Sequence, residues 1–342
     1  MKLNKLREQV AEAFIASLKE EKLPWHAMWA TSPPHNAISG KAYRGINSFW
    51  LSFVADHKGY SDSRWCTFKQ ASEKGWHVKA GEKASTIEYW RLFDKQQKKY
   101  IEPAEARDII QDDPQREKDI VLSSRVYSVF NAAQIEGIPP QEHRPGVDIG
   151  NLRQKRDTLL ANMGLGFREG GDQAFYRPSN DSITMPPESS FYDTYGYMST
   201  FLHEAGHATG APHRLNRDMS GGFGSVNYAK EELRAEIASA FVSQALGFGR
   251  EGQSLGSGLD NHRAYIQSWI EVIQDKPNEL FAAIKDAEGI SDYLLEKGDL
   301  LKDLEQAPKE KKDSLDSQIS AAKSRQEAQI QVTVAPIPLP TR

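Results

Sequence analysis

The segment YDTYGYMSTFLHEAGHATG, residues 192–210, constrains the fold more than any other stretch of the chain. Its apolar and small residues recur every three or four positions, which is the periodicity of a helix with one buried face. They are Tyr197, Met198, Phe201, Leu202, Ala205 and Ala208. Gly210 then offers a helix stop. We therefore expect a buried helix that presents His203 and His207 one turn apart on the same side.

Two histidines one turn apart suit two nitrogen ligands of a tetrahedral zinc ion, with bonds of about 2.0 to 2.1 Å. Glu204 follows His203 directly, so it is expected to lie beside the ion without binding it. A glutamate in this position serves as the general base of metallopeptidases with the HExxH motif. The motif is short, and the alternative is a helix that carries two surface histidines without a metal.

A second helix is predicted from YAKEELRAEIASAFVSQALG, residues 228–247, with a stop at Gly247. Its acidic stretch EELRAE places Glu232 one turn before Glu236. Catalytic zinc sites commonly take a glutamate from a second helix, so Glu232 is the expected third ligand. Glu236 can accept the other ring proton of a ligand histidine. The alternative interpretation makes this acidic stretch a solvated helix face.

His213 competes with Glu232 for the third ligand position. The stretch HEAGHATGAPH, residues 203–213, also fits a longer motif in which Gly210 turns the chain and a third histidine binds the metal. That motif needs a methionine turn beneath the metal, and Met219 follows His213 by only six residues. We favour Glu232, because the acidic helix has no other evident reason to carry a carboxylate pair at this spacing.

Chain length, apolar content and the single cysteine set broad limits. With 342 residues and 39% hydrophobic residues, the chain can bury two ordinary cores, and two domains are expected. Cys66, the single cysteine, excludes an internal disulfide and a cysteine-rich zinc module. The chain has no apolar run of 18 residues and no signal-peptide pattern at its start. We therefore expect no contact with a membrane and a cytoplasmic location.

The first hundred residues are basic and rich in tryptophan. They hold 17 Lys and Arg against 10 Asp and Glu, although the net charge of the whole chain is −4. Five of the seven tryptophans fall within residues 1–76. Single-stranded nucleic acid is bound by bases that stack on aromatic rings and by basic side chains along the phosphates. The same residue types also build ordinary cores and solvated surfaces, so the pattern alone leaves both interpretations open.

Three breaks divide the chain. Residues 94–125 are charged and lie between two strand-like stretches, which predicts a hairpin with a loose insertion. The proline and glycine residues of 137–150 mark a domain boundary. From residue 305 the chain lacks a sustained apolar face, as expected of a charged, disordered tail.

Residues 173–187 predict two short strands around an Asn-Asp turn, beside the zinc helix. An exposed strand in this place could pair with an extended peptide.

The first half carries an ordered set of motifs that resembles the amino-terminal domain of the ArdC family of antirestriction proteins. The motifs are Pro24-Trp25, GKAYRGIN, RWCTFKQ, GWHVKAGEK and VYSVFNAAQIEG. The stretches HEAGHATGAPHRLNR, GSVNYAKEELRAEIASAF and HRAYIQSWIEVI resemble the zincin-like metallopeptidase domain of the same family. Family members often have HWTGH where this chain has HATGA, so Ala211 replaces a histidine and the third metal ligand stays open.

Together the patterns and the resemblance imply an α+β fold in two domains. Residues 1–145 are expected to form an α+β domain that binds single-stranded DNA. Residues 146–304 are expected to form a mainly helical, zincin-like metallopeptidase domain with a small sheet, and residues 305–342 form the tail. The resemblance implies one Zn²⁺ per chain, with the metal ligands His203, His207 and Glu232 and the catalytic residue Glu204.

The resemblance also implies which residues contact DNA. They are Tyr43, Arg44, Asn47, Trp65, Phe68, Lys69, Gln70 and Lys83. Trp65, flanked by Arg64 and Lys69, is expected near the binding face, where its ring would stack on a base. A core position for this tryptophan is the alternative.

The function implied by the resemblance is protection of DNA that enters a new host, by a protein encoded on a plasmid or another mobile element and transferred in conjugation. In the first hypothesis, binding of single-stranded DNA protects the DNA. In the second, peptide cleavage is the primary function, DNA only localises the enzyme, and the substrate belongs to the host restriction or repair machinery. A purely structural zinc is the third hypothesis, and Glu204 argues against it because a structural site needs no general base.

Overall fold

The computed structural model describes residues 4–25, 32–141, 151–222, 225–248 and 259–301. Its α-helices, numbered α1 to α9 in chain order, are Lys5–Lys19, Gly45–Lys58, Phe68–Glu73, Pro103–Asp112, Leu152–Met163, Thr194–Ala208, Val226–Leu246, Leu259–Asp275 and Asn278–Lys297. Its strands β1 to β10 are His35–Asn36, Arg64–Cys66, His77–Val78, Ser85–Asp94, Lys99–Ile101, Ile120–Asn131, Ile135–Glu136, Gly166–Glu169, Phe175–Arg177 and Ser182–Met185. Within these described ranges, no helix combines the length and the apolar character that spanning a bilayer requires.

A five-stranded sheet in the order β1-β2-β6-β4-β5 forms the centre of the first half. β1 and β2 are parallel, and the other neighbours in the sheet are antiparallel. β4 and β6 pair from Ser85 opposite Val129 to Asp94 opposite Ile120, which confirms the predicted hairpin. The short strands β3 and β7 form a separate antiparallel pair.

The segment between β4 and β6 is folded, so the expectation of a loose insertion over residues 94–125 is wrong. β5 pairs with the end of β4, and α4 follows it. A small buried cluster consists of Leu92, Ile101 and Ala106. Near the end of the segment, Arg116 forms an ion pair of 2.6 Å with the buried Asp94, the last residue of β4. The charged composition concealed this fold because β5 and α4 contribute only one buried apolar residue each.

The second half combines helices α5 to α9 with a three-stranded sheet in the order β8-β10-β9. β9 and β10 are antiparallel on either side of a turn that contains Asp181, which confirms the two predicted strands. The two predicted helices are α6 and α7. α7 ends at Gly247, whose φ of 75° lies in the left-handed region that glycine adopts without steric cost.

One hydrophobic core extends across both halves of the chain. α1 packs against α8, and α2 packs against α9. The buried cluster therefore joins Phe14, Trp25 and Phe49 from the first half to Phe201 and Trp269 from the second. The predicted domain boundary falls largely on residues 142–150, which lie outside the described part of the chain, as does the tail from residue 302. The residue bounds of the two domains stay a prediction.

Arg44 joins the two halves by ion pairs. Its guanidinium contacts Glu288 at 2.9 Å and also contacts Asp292, and both carboxylates belong to α9. The backbone N–H of Gly45 donates to Glu288 at 2.8 Å, so this carboxylate also occupies the amino-terminal end of α2, where negative charge is stabilised. A phosphate would have to compete with two carboxylates for Arg44. The DNA contact expected of Arg44 stays a prediction, and its structural partners are in α9.

Trp65 lies in the core, so the expectation that its ring reaches the binding face is wrong. The side chain has no exposed surface. It packs with Leu51, Ile87 and Val129 between α2 and the five-stranded sheet. Basic neighbours did not reveal this, because alternate residues of a strand point to opposite faces of the sheet.

Replacement of Trp65 by alanine should therefore chiefly lower the stability of the fold, and not chiefly the affinity for DNA. We expect Trp65→Ala to lower the free energy of unfolding by about 3 to 5 kcal/mol, as for other buried large aromatic residues. Phe68→Ala is the control, because this ring is 60% exposed and its loss should change stability by about 0.5 kcal/mol or less. Urea denaturation measures both, and equal stabilities would contradict the core assignment.

Candidate metal centre

The candidate site is built where α6 and α7 pack together. A methyl group placed on Gly206 of α6 would lie 3.6 Å from the Cα of Ala235 on α7, so small residues let the two backbones approach closely. Asp193 caps α6 by accepting the N–H of Gly196 at 2.7 Å, and Ser225 caps α7. These contacts fix which residues of the two helices face one another.

His203, His207 and Glu232 converge between the two helices, and their ligand atoms all lie within 4.8 Å of one another. The Nε2 atoms of the two histidines are 3.1 Å apart. Each Nε2 lies 3.4 Å from a different oxygen of Glu232. A tetrahedral ion with bonds of about 2.05 Å has ligand atoms about 3.3 Å apart. The donor set therefore fits a zinc-sized ion with little rearrangement.

The second nitrogen of each ring faces another carboxylate. His203 Nδ1 lies 3.0 Å from Glu236 Oε1, in the arrangement expected from the sequence. His207 Nδ1 lies 3.5 Å from Glu231 Oε1, a contact that the sequence analysis did not anticipate. Such carboxylates orient ligand histidines and make them more basic. The solvated-face interpretation of the acidic stretch is wrong, since Glu231, Glu232 and Glu236 are all buried.

Two further side chains hold these outer carboxylates in place. Arg217 binds both oxygens of Glu231, with 3.2 Å between Nε and Oε2. The indole N–H of Trp25 donates to Glu236 Oε2 at 3.1 Å. Trp25 belongs to the first half of the chain, so residues from both halves complete the surroundings of the metal centre.

The charges of the site favour protonated histidines when no metal is bound. Burial opposes the charged imidazole, but hydrogen bonds to Glu231 and Glu232 outweigh it and raise the pKa of His207 to about 9. Burial also opposes the charged form of His203, but Glu236 and Glu232 outweigh it and raise the pKa of His203 well above its usual value. Metal ligation requires neutral rings, so metal must displace protons here and affinity should increase as the pH rises.

Glu204 lies against the edge strand β9. Its side chain is buried, and its Oε2 accepts the backbone N–H of Tyr176 at 2.8 Å. β9 is the outer strand of its sheet and packs beside α6, as the sequence predicted. The hydrogen bond fixes the position of one carboxylate oxygen of Glu204.

His213 lies apart from this cluster and contacts another group. Its side chain is 62% exposed, and its Nε2 lies 3.5 Å from Asp181 Oδ2 in the turn between β9 and β10. Arg214 binds the same carboxylate through two nitrogens. Met219 packs against Gly210, where a side chain would overlap its sulfur. The geometry therefore favours Glu232 over His213 as the third ligand.

Tyr228 is a neighbour of the site that the sequence analysis missed. It lies four residues before Glu232, which places both on one face of α7. Burial and then the Glu232 carboxylate raise the pKa of Tyr228, so the phenol keeps its proton and can donate a hydrogen bond. The i, i+4 spacing from a ligand was the signal that could have identified it.

Three of the expected DNA-binding residues make structural contacts. Asn47 bonds the backbone of Glu88 twice, through its side-chain amide nitrogen at 2.7 Å and its oxygen at 2.9 Å. Gln70 forms a capping box at the start of α3 and accepts a hydrogen bond from Asn36 at 3.2 Å. Tyr43 packs against the cluster around Trp65 and is partly buried. Their DNA contacts stay predictions.

Phe68, Lys69 and Lys83 remain at the surface. The Phe68 ring is 60% exposed, and the Lys69 side chain is 85% exposed with Glu73 3.7 Å away. Lys83 is also exposed. These three residues retain the accessibility that contact with DNA requires.

Comparison with known proteins identifies relatives of both halves. Residues 4–130 match the N-terminal domain of the anti-restriction factor ArdC, and residues 154–286 match the zincin-like metallopeptidase family. Two crystal structures of the antirestriction protein ArdC from plasmid R388 are similar, each with a TM-score of 0.66 and covering 86% of this chain and 98% of theirs. The metal-free form is 31% identical in sequence, and the Mn(II)-bound form is 33% identical.

Curated relatives include proteins of very different length. The DNA primase TraC of Escherichia coli is 40% identical over 297 residues, which are 84% of this chain and 27% of that protein. The chain thus spans about a quarter of the length of this primase. The uncharacterized protein y4eC of Sinorhizobium fredii (strain NBRC 101917 / NGR234) is 34% identical over 291 residues, which are 85% of this chain and 90% of that protein.

The metal ligands can be distinguished by single substitutions. His203→Ala and Glu232→Ala should each weaken zinc affinity by about a hundredfold or more, because a full set of ligands contributes roughly 10 to 16 kcal/mol. His213→Ala is the matched control and should change affinity by less than about twofold, since its partner is Asp181. Competition with a chromophoric chelator measures the affinities. A larger loss in His213→Ala than in Glu232→Ala would identify the longer histidine motif as correct.

Trp25 should influence the metal through its hydrogen bond to Glu236. We expect Trp25→Phe to weaken zinc affinity by about tenfold. This is the lower end of the effect of removing a residue that supports the metal ligands through hydrogen bonds. Trp50→Phe is the matched control, because the Trp50 indole is also buried but its N–H has no hydrogen-bond partner among the described residues. The same chelator competition compares the two variants, and equal zinc affinities would contradict the role of the Trp25 hydrogen bond.

Proposed function

The chain belongs to the ArdC family of antirestriction proteins, and we propose that it protects incoming DNA by binding single strands and carries a zinc metallopeptidase-type site. The observation that carries the metal part is the convergence of His203, His207 and Glu232 within 4.8 Å on two packed helices. We propose that the protein acts in the cytoplasm on DNA that a plasmid transfers by conjugation, because restriction acts on DNA that has entered the cell.

One zinc ion per chain is the proposed occupant of this site. The zincin-like domain implies a divalent metal, and the ArdC protein of R388 has a Mn(II)-bound form. Two imidazoles and one carboxylate suit zinc, whereas manganese prefers oxygen ligands. Several buried carboxylates surround the two rings, and a divalent cation compensates their charge.

The residues around the site support peptide hydrolysis as its proposed chemistry. When bound, zinc acts as a Lewis acid on the peptide carbonyl and activates a water molecule. Glu204 is the proposed general base, and the Tyr176 N–H holds one of its oxygens at 2.8 Å. The edge strand β9 is the proposed docking site for an extended peptide. Tyr228, which keeps its proton, can donate a hydrogen bond beside Glu232.

Binding of single-stranded DNA is the proposed protective step. Restriction endonucleases act on duplex sites, so a protein that keeps one strand unpaired withholds their substrate. The basic excess of residues 1–100 supports the proposal, as do the exposed side chains of Phe68, Lys69 and Lys83. Bases stack on exposed rings, and lysines neutralise phosphates.

Peptide cleavage localised by DNA is a second candidate function. The buried Glu204 beside an edge strand favours it, because a site that only stabilises the fold has no use for either feature. In this proposal the substrate belongs to the host restriction or repair machinery, and DNA binding brings the enzyme to it.

Glu204→Gln separates the two functions. The variant should keep zinc affinity and DNA affinity within about twofold of the wild type, because the amide remains beside the ligands without joining them. It should cleave labelled unfolded casein at least about a hundredfold more slowly, in line with the 10² to 10⁴-fold contribution of general bases. Asp275→Asn, at an exposed carboxylate of the same half, should behave as the wild type.

Transfer of a plasmid into a restricting host then decides which function protects the DNA. Unchanged protection by Glu204→Gln supports the first candidate, in which binding of single strands is sufficient. Lost protection, with zinc and DNA affinity preserved, supports the second. Equal casein cleavage by Glu204→Gln and the wild type would contradict the role of Glu204 as the base.

A further inference from the structure

One face of the sheet formed by β4, β5 and β6 carries aromatic and arginine side chains. Residues that lie opposite one another in a sheet, and alternate residues of one strand, share a face. Tyr89 on β4 lies opposite Arg125 on β6, and Tyr127 follows two residues later on the same strand. Tyr100 on β5 lies opposite Phe93 on β4, which shares the face of Tyr89. The three strands thus contribute to one continuous surface.

The rings of this surface are accessible. Tyr89 is 48% exposed and Tyr127 is 40% exposed, and their ring centres are 6.5 Å apart in an edge-to-face arrangement. The Arg125 guanidinium lies 4.4 Å from the centre of the Tyr100 ring and donates to its hydroxyl at 3.0 Å. Arg91 approaches the same ring at 5.2 Å. Rings and cations therefore alternate across the strands.

The opposite face of the sheet is partly covered by α1, around Glu88, while Leu122 and Val126 of that face are exposed. Glu88 is buried there and forms an ion pair of 2.6 Å with Arg7 of α1. The Arg7 guanidinium also lies 5.5 Å from the centre of the Trp90 ring. Tyr89 and Tyr127 stay exposed, although α2 covers Ile87 and Val129 at one end of the same face.

The chemistry of the exposed face matches single-stranded DNA. Unpaired bases stack on exposed aromatic rings and tolerate any sequence, because every base has a flat face. Arginines interleaved with the rings supply charge complementary to the phosphates. Arg91 is paired with Glu102 at 3.1 Å, but this carboxylate is 74% exposed, so a phosphate can displace it at little cost.

We propose that this face, which we call the tyrosine–arginine face (Tyr89, Arg91, Tyr100, Arg125 and Tyr127), is the surface on which the protein binds single-stranded DNA. The proposal rests on the proposed function, since it assigns the place where that binding occurs. It differs from the residues expected from the sequence, of which Phe68, Lys69 and Lys83 are the exposed members.

Substitutions in the full-length protein test the proposal by fluorescence anisotropy with a labelled 20-nucleotide oligothymidylate. Combined Tyr89→Ala and Tyr127→Ala substitutions should weaken binding by about tenfold or more, because each stacked base contributes a few-fold to about a hundredfold. The corresponding Phe variants keep the rings and should bind within about twofold of the wild type. Arg125→Gln should reduce the slope of log affinity against log salt by about 0.7.

Two controls isolate the face from general effects of removing side chains. Val126→Ala changes a residue of the same strand that is 58% exposed on the opposite face. Tyr192→Ala removes a tyrosine that is 82% exposed in the second half. Both variants should bind as the wild type does. The thermal unfolding midpoints of all variants should agree within a few degrees, since each altered side chain is exposed.

The remaining outcomes distinguish failure of the assigned face from failure of DNA binding itself. Wild-type affinity in the combined Tyr→Ala variant overturns the assignment of the face and leaves DNA binding itself intact. Loss of binding in a Phe68→Ala, Lys69→Gln variant, with the tyrosine variant unaffected, places the DNA elsewhere. Absence of binding by the wild type overturns both this proposal and the DNA part of the proposed function. Tighter binding of oligouridylate than of oligothymidylate overturns the choice of DNA as the ligand.

Discussion

The close packing of α6 on α7 is the constraint on which the candidate site depends. Contact at Gly206 and Ala235 brings four acidic side chains into the interior: Glu204, Glu231, Glu232 and Glu236. Buried carboxylates are unfavourable unless they are paired, hydrogen-bonded or bound to metal. Three of them have partners in Tyr176, Arg217 and Trp25. Glu232 instead faces the Nε2 atoms of both histidines, so a cation between these groups completes the charge balance.

The partners of these carboxylates connect the metal centre to the rest of the molecule. Arg217 comes from the segment after α6, and Trp25 comes from the segment after α1. α1 in turn contacts the large sheet through Arg7 and the buried Glu88 on β4. A chain of direct contacts therefore runs from the sheet proposed to bind DNA to the metal centre. The shared core and the ion pairs of Arg44 hold the same two parts together.

Several motif residues of the first half have structural roles. Arg44 pairs with α9, Asn47 fixes the backbone of β4, and Trp65 fills the core. A motif residue is expected to bind only where its side chain remains accessible. The tyrosines of β4 and β6 meet this condition, although neither was among the residues expected to contact DNA, because an alternating strand pattern does not say which face a helix will cover.

The sequence alone determined local features of this protein: helices α6 and α7, the β4–β6 hairpin, the turn between β9 and β10, and the placing of His203 and His207 on one side of α6. These follow from periodicity and stop signals within a few residues. It also indicated Glu232 and Glu236, because helical spacing fixes which side chains share a face. Only the tertiary structure decided between Glu232 and His213 as the third ligand. It also placed Trp65 in the core and brought Trp25 to Glu236, which lies 211 positions further along the chain. Those outcomes depend on how separate helices and sheets pack, and that packing is set by shape and burial over the whole core, which no local pattern encodes.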